Sequence, residues 1–181
     1  YSGNIHIDGV RVLCGSINGP SPDGIDIDSC HDVLIENCET HTHDDSICIK
    51  SGRDADGLRV NIPCSRVEVR NCRIYEGYGV TLGSEVSGGI EDITLKNIQF
   101  FGTDCGFRIK SAYPRKGYIR RIAAEDLYME NVRFCVHIQL NWNANYNVCT
   151  VGENYTGEIP EHWKLLMEPV PEEIPPTKVE D

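Results

Sequence analysis

The sequence predicts an all-β protein, specifically a right-handed parallel β-helix, which is a solenoid of stacked coils. Four segments carry this prediction, because each alternates apolar and polar residues and then places an asparagine before an apolar residue or a cysteine. Such alternation is typical of strands, and no amphipathic helical pattern of ordinary length lies between the segments. In chain order they are VLIENCET (33–40), VEVRNCRI (67–74), ITLKNIQF (93–100) and LYMENVRF (127–134).

The spacing of the four segments indicates how the coils stack. Their asparagines recur at intervals of 34, 26 and 34 residues, at Asn37, Asn71, Asn97 and Asn131. Repeats of this length favour a solenoid whose coils lie about 4.8 Å apart. An asparagine at a corner tolerates the left-handed conformation and can hydrogen bond to the same residue one coil away. Leucine-rich repeats are the competing solenoid, but their leucine spacing is absent.

The composition excludes several classes of protein. The 181 residues suit one domain, and 17 Lys+Arg against 28 Asp+Glu give a net charge of −11. A global basic surface for nucleic acid or an anionic membrane is therefore missing, and no run of 18 apolar residues predicts a membrane span. The chain also lacks a P-loop, a dinucleotide fingerprint and the histidine spacing of a metal site, so we expect no cofactor and no metal.

The nine cysteines are odd in number and include no CxxC pair, which argues against a zinc ribbon or a thioredoxin-type site. We expect most of them to be buried thiols that pack as small hydrophobic side chains. Cys38 and Cys72, which follow two of the corner asparagines, should stack inward. Disulfides stay open at this point.

The chain divides by composition near residue 150. Residues 1–150 carry the repeated strands and the charged motifs, which we expect to form the coils and the site, whereas residues 151–181 are rich in proline and acidic residues. We expect this second part to be a peripheral loop that leads toward a missing coil, with one short helical turn at EHWKLL and a strand entry at TKVED. Because the opening YSGNIHIDGV already resembles a strand region, we expect a fragment that lacks coils at both ends.

Three aspartates are the strongest candidates for a functional site. Asp44 and Asp45 stand side by side just before the apolar alternation SICIK, and Asp23 lies 21 residues before Asp44, close to one short coil. We therefore expect Asp23 about one strand spacing away on the same wall. A turn at Asp23-Gly24 and calcium binding are the alternative uses of such residues. Crowded carboxylates also separate their pKa values, which provides the acid and the base that glycosidases need.

Four motifs in order make the chain resemble glycoside hydrolase family 28, the polygalacturonases and their pectin-cleaving relatives. They are SPDG (21–24) for the family's Asn-Thr-Asp-Gly, DDSICIKSG (44–52), GYG (77–79) for Gly-His-Gly, and FRIKS (107–111) for Arg-Ile-Lys. Each motif is weak alone, but together they extend the resemblance over residues 18 to 142. The resemblance implies a β-helical hydrolase.

The resemblance also implies roles for five residues. Asp44 would be the general acid that protonates the glycosidic oxygen, while Asp23 and Asp45 would hold and deprotonate the attacking water. The reaction would invert the anomeric centre in one displacement. Arg108 and Lys110 would bind the galacturonate carboxylate, because their alternation places both on one strand face and arginine can grip a carboxylate with two hydrogen bonds.

The same resemblance implies the substrate and the setting. The bonds cleaved would be α-1,4 galacturonosyl bonds of a pectic polysaccharide or an oligogalacturonide, and no cofactor, nucleic acid or membrane partner is expected. The full-length protein would be a monomer that is secreted, periplasmic or located at the cell surface. The type of pectin stays open, as does the choice between endo and exo attack.

Two motifs depart from the family pattern. Tyr78 stands where the family has histidine, and Ser21-Pro22 replaces Asn-Thr. Tyrosine donates a hydrogen bond but carries no charge near neutral pH, so activity either persists with a shifted pH profile or is lost.

Tyr78 and two other residues are candidates for substrate binding. Glu85 either selects substrate ends or is solvated, and Trp142 either faces a sugar ring or fills a gap.

Two other functions stay open. A pectate lyase is also a β-helix, but it uses calcium and a basic residue to eliminate across the sugar ring. A non-catalytic β-helix that only binds polysaccharide is consistent with the replacement of the family histidine by Tyr78.

Overall fold

The computed structural model, which describes residues 1–14, 21–143 and 149–181, is a parallel β-solenoid of about five coils. This confirms the predicted fold class. All strand pairs in the described ranges are parallel, and each joins residues that lie one full coil apart in the sequence. The chain thus runs repeatedly around three walls, and every wall is a stack of strands from successive coils.

The walls consist of short strands, with two long strands that continue from the first wall into the second. The first wall contains β1 (Gly3–Asp8), β4 (His31–Glu36), β7 (Cys64–Arg70), the starts of β10 (Ile90–Phe101) and β12 (Tyr118–Glu130), and β14 (Lys178–Glu180). The second wall contains β2 (Arg11–Leu13), β5 (Glu39–His41), β8 (Arg73–Tyr75) and the ends of β10 and β12. The third wall contains β3 (Ile25–Asp28), β6 (Ile47–Lys50), β9 (Val80–Leu82), β11 (Cys105–Lys110) and β13 (Phe134–Gln139).

The core lies between the three walls and consists of columns of aliphatic side chains. In one column, Ile35 pairs with Val69 and Val69 pairs with Leu95, and all three are fully buried. Every second residue of these strands points inward, so apolar residues in a period of two create a continuous interior. Burying each such side chain contributes roughly 1.5–3 kcal/mol before the entropy of folding is counted.

The first three members of the predicted asparagine ladder lie at one corner, and two of them are hydrogen bonded to each other. Asn37, Asn71 and Asn97 all adopt the left-handed conformation, with φ of 54°, 54° and 51°. The Asn97 side-chain amide donates a 2.9 Å hydrogen bond to the Asn71 oxygen, and the Asn37 amide donates to Asp8 at 2.7 Å. These bonds join successive coils at one corner.

The prediction is wrong for Asn131, the fourth member of the ladder. Strand β10 pairs with β12 so that Lys96 faces Glu125, which places Asp126, with φ of 54°, next to Asn97. Asn131 instead follows the end of β12 and turns a different corner, with φ of 56°. Aspartate and asparagine both tolerate the left-handed conformation, so a search for asparagine alone selected the wrong corner.

The cysteines are packed as thiols rather than paired. All nine are free, and six of them, including Cys38 and Cys72, are buried, which confirms the expectation. Burial raises the pKa of the Cys72 thiol to about 12, so this side chain stays protonated at physiological pH.

The sequence did not predict helix α1 (Asp54–Val60), which follows β6 directly. Helix α2 (Glu161–Met167) lies where a short helical turn was expected, and β14 forms at the predicted strand entry. The division of the chain near residue 150 stays a prediction. Among the described residues, no helix combines the length and the apolar character needed to cross a membrane.

The corner at Asn71 yields a testable prediction about stability. Replacing Asn71 with alanine should lower the free energy of unfolding by about 2 kcal/mol, because alanine is strained at positive φ and the hydrogen bond to Asn97 is lost. Replacing it with glycine should cost less, because glycine adopts this conformation without a Cβ clash. Urea unfolding of the full-length protein measures both, and equal losses for the two variants would contradict the assignment.

Candidate active site

The outer face of the third wall carries the candidate site. Its inward side chains are aliphatic, so its outward side chains are free to be polar, and strand pairing aligns them in columns across the coils. One column contains Asp26, Cys48, Thr81, Arg108 and His137. A neighbouring column includes Asp28, Lys50, Lys110 and Gln139.

The structure brings Asp23 and Asp45 together. Ile25 pairs with Ile47, and the Gly24 amide donates a 2.9 Å hydrogen bond to the Asp45 carbonyl oxygen, so the two aspartates are in register one coil apart. A carboxylate oxygen of each lies within 4.8 Å of the other and of the Cys48 sulfur. The turn at Asp23-Gly24 therefore serves to place a carboxylate beside Asp45.

Asp45 is buried and receives hydrogen bonds on both carboxylate oxygens. It is 1% exposed; its Oδ1 accepts from Thr81 Oγ1 at 2.8 Å and from Arg108, and its Oδ2 accepts from Lys110 Nζ at 2.8 Å. Burial by itself would raise the pKa of Asp45, but the positive charges of Lys110 and Arg108 outweigh it and lower the pKa. Asp45 is therefore held as a carboxylate.

Asp44 has a different environment from its neighbour. Across the part of the chain that the structure describes, no lysine or arginine forms an ion pair with Asp44. Burial, followed by the charges of Asp45 and Asp23, raises the pKa of Asp44, while the charge of Lys110 and a hydrogen bond from Ser21 offset part of the shift. The adjacent aspartates thus have pKa values shifted in opposite directions, as an acid and an ionised partner require.

Asp23 is intermediate between the other two carboxylates. Its side chain is 28% exposed and forms a 3.2 Å ion pair with Lys50, which also contacts Asp26 at 2.6 Å. Burial and the charge of Asp26 raise the pKa of Asp23, and Lys50 partly offsets them. Asp23 is therefore accessible to a ligand in a way that Asp45 is not.

Tyr78 approaches the aspartates because two glycines flank it. The Tyr78 amide donates a 3.0 Å hydrogen bond to the Asp44 carbonyl oxygen. Gly77 has φ of +63°, and a Cβ there would lie 2.5 Å from the same oxygen, so only glycine allows this approach. The GYG motif thus places the Tyr78 ring 4.5 Å from the Arg108 guanidinium carbon.

Arg108 and Lys110 lie on one strand face, as expected, but they are turned toward Asp45 rather than toward solvent. Arg108 is 3% exposed and Lys110 is 9% exposed. The Trp142 ring covers the pair, with its centroid 5.7 Å from the Arg108 guanidinium carbon and 5.1 Å from Lys110 Nζ. Trp142 therefore packs over the cations, and its contact with a sugar stays a prediction.

Glu85 is only partly exposed, and its carboxylate is bound by other residues of the protein. Its side chain accepts from Ser84 at 2.9 Å and pairs with Arg115 at 3.4 Å, and Arg115 is fully buried and also bound to Asp54. Burial would raise the pKa of Glu85, but the charge of Arg115 outweighs it and lowers the pKa. Arg115 thus links its own loop to the two preceding loops at the end of the third wall. The selection of substrate ends by Glu85 stays a prediction.

Sequence reasoning missed Thr81 and Arg115, two residues that hold carboxylates of this region in place. Thr81 stands next to Arg108 in the same column and binds Asp45. Column positions one coil apart were the available signal for Thr81. Arg115 had no signal in the sequence, because its partners lie 30 and 61 residues away on loops of unpredicted length.

The carboxylates are a poor fit for a calcium ion. Asp23 and Asp45 are the residues that would supply most oxygen ligands, yet Lys50 already neutralises the first, and Arg108 and Lys110 neutralise the second. Calcium requires six to eight oxygen ligands, which would have to displace these cations. The donor set instead suits chemistry that uses the carboxylates themselves.

A parallel β-solenoid that holds carboxylates with oppositely shifted pKa values on one outer wall has the kind of carboxylate pair that glycoside hydrolases use. Comparison with known proteins agrees with this class. The family model for "Glycosyl hydrolases family 28" matches residues 2–158. The chain therefore belongs to glycoside hydrolase family 28.

Individual relatives carry similar names. The chain is 32% identical to a probable polygalacturonase of Vitis vinifera, over 80% of this chain and 30% of that protein, and 31% identical to a polygalacturonase of Prunus persica, over 81% and 35%. The crystal structure of a hyperthermoactive exopolygalacturonase from Thermotoga maritima superposes with a TM-score of 0.68 at 34% identity, over 75% of this chain and 31% of that chain. The chain thus spans about a third of the length of these relatives.

The buried cation Arg115 yields a second testable prediction. Replacing Arg115 with methionine should lower the free energy of unfolding by about 3–5 kcal/mol, because Asp54 and Glu85 would stay partly buried without their partner. The matched control is Arg121→Met, since Arg121 also pairs with two carboxylates but is 44% exposed. Thermal and urea unfolding should show little change for the control, and equal losses in the two variants would contradict the structural role of Arg115.

Proposed function

We propose that this chain forms the catalytic region of an inverting glycoside hydrolase that cleaves α-1,4 galacturonosyl bonds in pectin. The observation that carries the proposal is the division of the three carboxylates. Asp44 has a raised pKa and forms no ion pair with a lysine or arginine among the described residues, whereas Asp45 is held ionised by Arg108 and Lys110.

The proposed reaction uses Asp44 as the acid and Asp23 as the base. Asp44 donates its proton to the glycosidic oxygen as the bond from that oxygen to the anomeric carbon breaks. A water molecule attacks the same carbon from the opposite face and transfers a proton to Asp23, which is the more exposed of the two remaining carboxylates. Asp45 accepts a hydrogen bond from this water or orders it through its charge. Proton exchange with solvent then restores both groups.

The cations of the candidate site provide the local positive charge with which an acidic protein can bind a polyanion. The net charge of −11 would repel pectate, so binding needs local positive charge. Lys110 retains more exposure than Arg108, and we assign the galacturonate carboxylate at the cleavage site to Lys110. Trp142 then borders this position with an aromatic surface that suits a sugar ring.

The mode of attack and the setting belong to the same proposal. The similarity to the Thermotoga exopolygalacturonase supports exo attack, in which residues are released from a chain end. Because pectin lies outside the cell, we infer a secreted, periplasmic or cell-surface enzyme that acts as a monomer.

Two alternatives give different products in the same assay. A pectate lyase would release unsaturated uronides that absorb in the ultraviolet, but the calcium it needs fits poorly beside Lys50, Arg108 and Lys110. A non-catalytic module would bind oligogalacturonide without releasing reducing ends. Hydrolysis predicts new reducing ends, saturated products and inversion at the anomeric carbon, as seen by NMR of fresh product.

The third prediction concerns the acid. Asp44→Asn in the full-length protein should lower kcat on polygalacturonate by about 10²- to 10⁴-fold, the usual contribution of a positioned acid, while oligogalacturonide still binds. Asp32→Asn is the matched control, since Asp32 lies on another wall in an exposed pair with Arg66 and should keep full activity. Unchanged turnover in Asp44→Asn would remove this assignment.

The fourth prediction concerns pH. The pKa values of Asp23 and Asp44 are both raised above 3.8, so kcat/KM should fall on the acid side as Asp23 gains a proton and on the alkaline side as Asp44 loses one.

A raised carboxyl pKa also means that ionisation of Asp44 costs stability above that pKa. Asp44→Asn should therefore unfold at the same or a higher urea concentration at pH 7. A less stable variant at pH 7 would contradict the assigned environment.

A further inference from the structure

Arg108 is surrounded on several sides by groups of the protein itself. Its guanidinium binds Asp45 Oδ1, and its Nε donates a 3.3 Å hydrogen bond to Thr81 Oγ1. One face lies over the Tyr78 ring, with 4.5 Å from the guanidinium carbon to the ring centroid, and Trp142 lies at 5.7 Å. With 3% of the residue exposed, little of this side chain remains for a substrate.

Thr81 and Arg108 form a closed arrangement with Asp45. The Thr81 hydroxyl donates to Asp45 Oδ1 at 2.8 Å and accepts from Arg108, so the two donors on this oxygen also bind each other. A guanidinium bound this way has a fixed plane, and an aromatic ring stacked on that plane prevents it from rotating away. Tyr78 supplies such a ring, and its glycine-flanked backbone is itself bonded to Asp44.

We propose that Tyr78 is a positioning residue that acts through Arg108, and that Arg108 serves Asp45 rather than the carboxylate of the substrate. The flat face of tyrosine is the functional feature, because it holds the guanidinium against Asp45. The catalytic consequence of this arrangement rests on the proposed hydrolase function. The structural relation between Tyr78, Arg108 and Asp45 does not.

The two roles of Arg108 predict different kinetic changes. If Arg108 binds the substrate carboxylate, removing the Tyr78 ring that supports Arg108 should raise KM. A positioning residue would lower kcat and shift the acid limb of the pH profile, because Asp45 would lose part of the positive charge that keeps it ionised. The titratable and charged groups that act on Asp45 from the surrounding segments are Asp23, Asp44, Cys48, Cys105, Arg108 and Lys110.

The primary test measures the ionisation of Asp45 and does not depend on activity. Carboxyl-labelled aspartate in the full-length protein is followed by NMR during a pH titration, and the Asp45 signal is assigned with Asp45→Asn. Tyr78→Phe, which keeps the ring and removes the hydroxyl, should leave the Asp45 pKa unchanged. Tyr78→Leu, which fills the space without an aromatic face, should raise it, and so should Arg108→Gln.

The matched control is Phe134→Ala. Phe134 occupies the same column of the third wall two coils further on, where its ring lies 4.9 Å from the Arg133 guanidinium carbon. Losing this ring should leave the Asp45 pKa unchanged. The proposal is overturned if Tyr78→Leu has no effect on Asp45, if Tyr78→Phe has the same effect as Tyr78→Leu, or if Phe134→Ala shifts Asp45 equally. Urea unfolding at each pH confirms that the titrated protein is folded.

Kinetics on polygalacturonate separate this inference from the proposed function. Tyr78→Leu should lower kcat about 30-fold with little change in KM, the effect of losing one desolvated cation–π contact, and Tyr78→Phe, which keeps the ring, should lower kcat less. A rise in KM at constant kcat would indicate that Arg108 binds the substrate and would contradict the proposal. An unmodified protein without hydrolase activity would refute the proposed function, while the titration of Asp45 would still decide the relation among the three residues.

Discussion

The parallel register of the third wall is the constraint on which the site depends. Because side chains alternate, a slip of one residue of β3 against β6 would turn Asp26 into the core and Ile25 toward solvent. The inward isoleucines oppose such a slip, since those of β6 are fully buried. The hydrophobic core therefore does more than stabilise the coils: it fixes which carboxylate lies next to which.

Charge in the candidate site is distributed unevenly, and this distribution separates the pKa values of Asp44 and Asp45. A buried carboxylate costs several kcal/mol unless it is paired, and Asp45 is paired with two cations. Asp44 is buried to an intermediate degree, close to two like charges. A carboxylate placed where its ionised form is disfavoured costs stability, and such a local cost is the pattern expected of a functional residue.

The sequence predicted those features that depend on local periodicity or on motif spacing. Strands followed from alternation, and the stacking of Asp23 on Asp45 followed from a spacing of about one coil. Features that depend on residue choice at corners, on loop length or on side-chain partners were not predicted. Asn131 was misassigned because Asp126, which adopts the same left-handed conformation, takes the corner position beside Asn97. The spacing between equivalent residues on the third wall changes from coil to coil, because helix α1 is inserted after β6, and an inserted loop changes spacing without changing register. The turn of Arg108 toward Asp45 could not be predicted because outward strand positions do not specify a partner.

The proposed roles of Lys110 and Arg108 have a joint consequence for the base side of the reaction. Both cations bind Asp45 in the unliganded site, but only Lys110 keeps an exposed edge. When Lys110 receives a substrate carboxylate, part of its charge is shared, and its hold on Asp45 weakens. Arg108, enclosed by Tyr78 and Thr81, keeps its position. Asp45 would then become a better hydrogen-bond acceptor for water when substrate is present, without leaving its place. Two cations of different exposure can thus couple substrate binding to water activation, which two equally buried or equally exposed cations could not do.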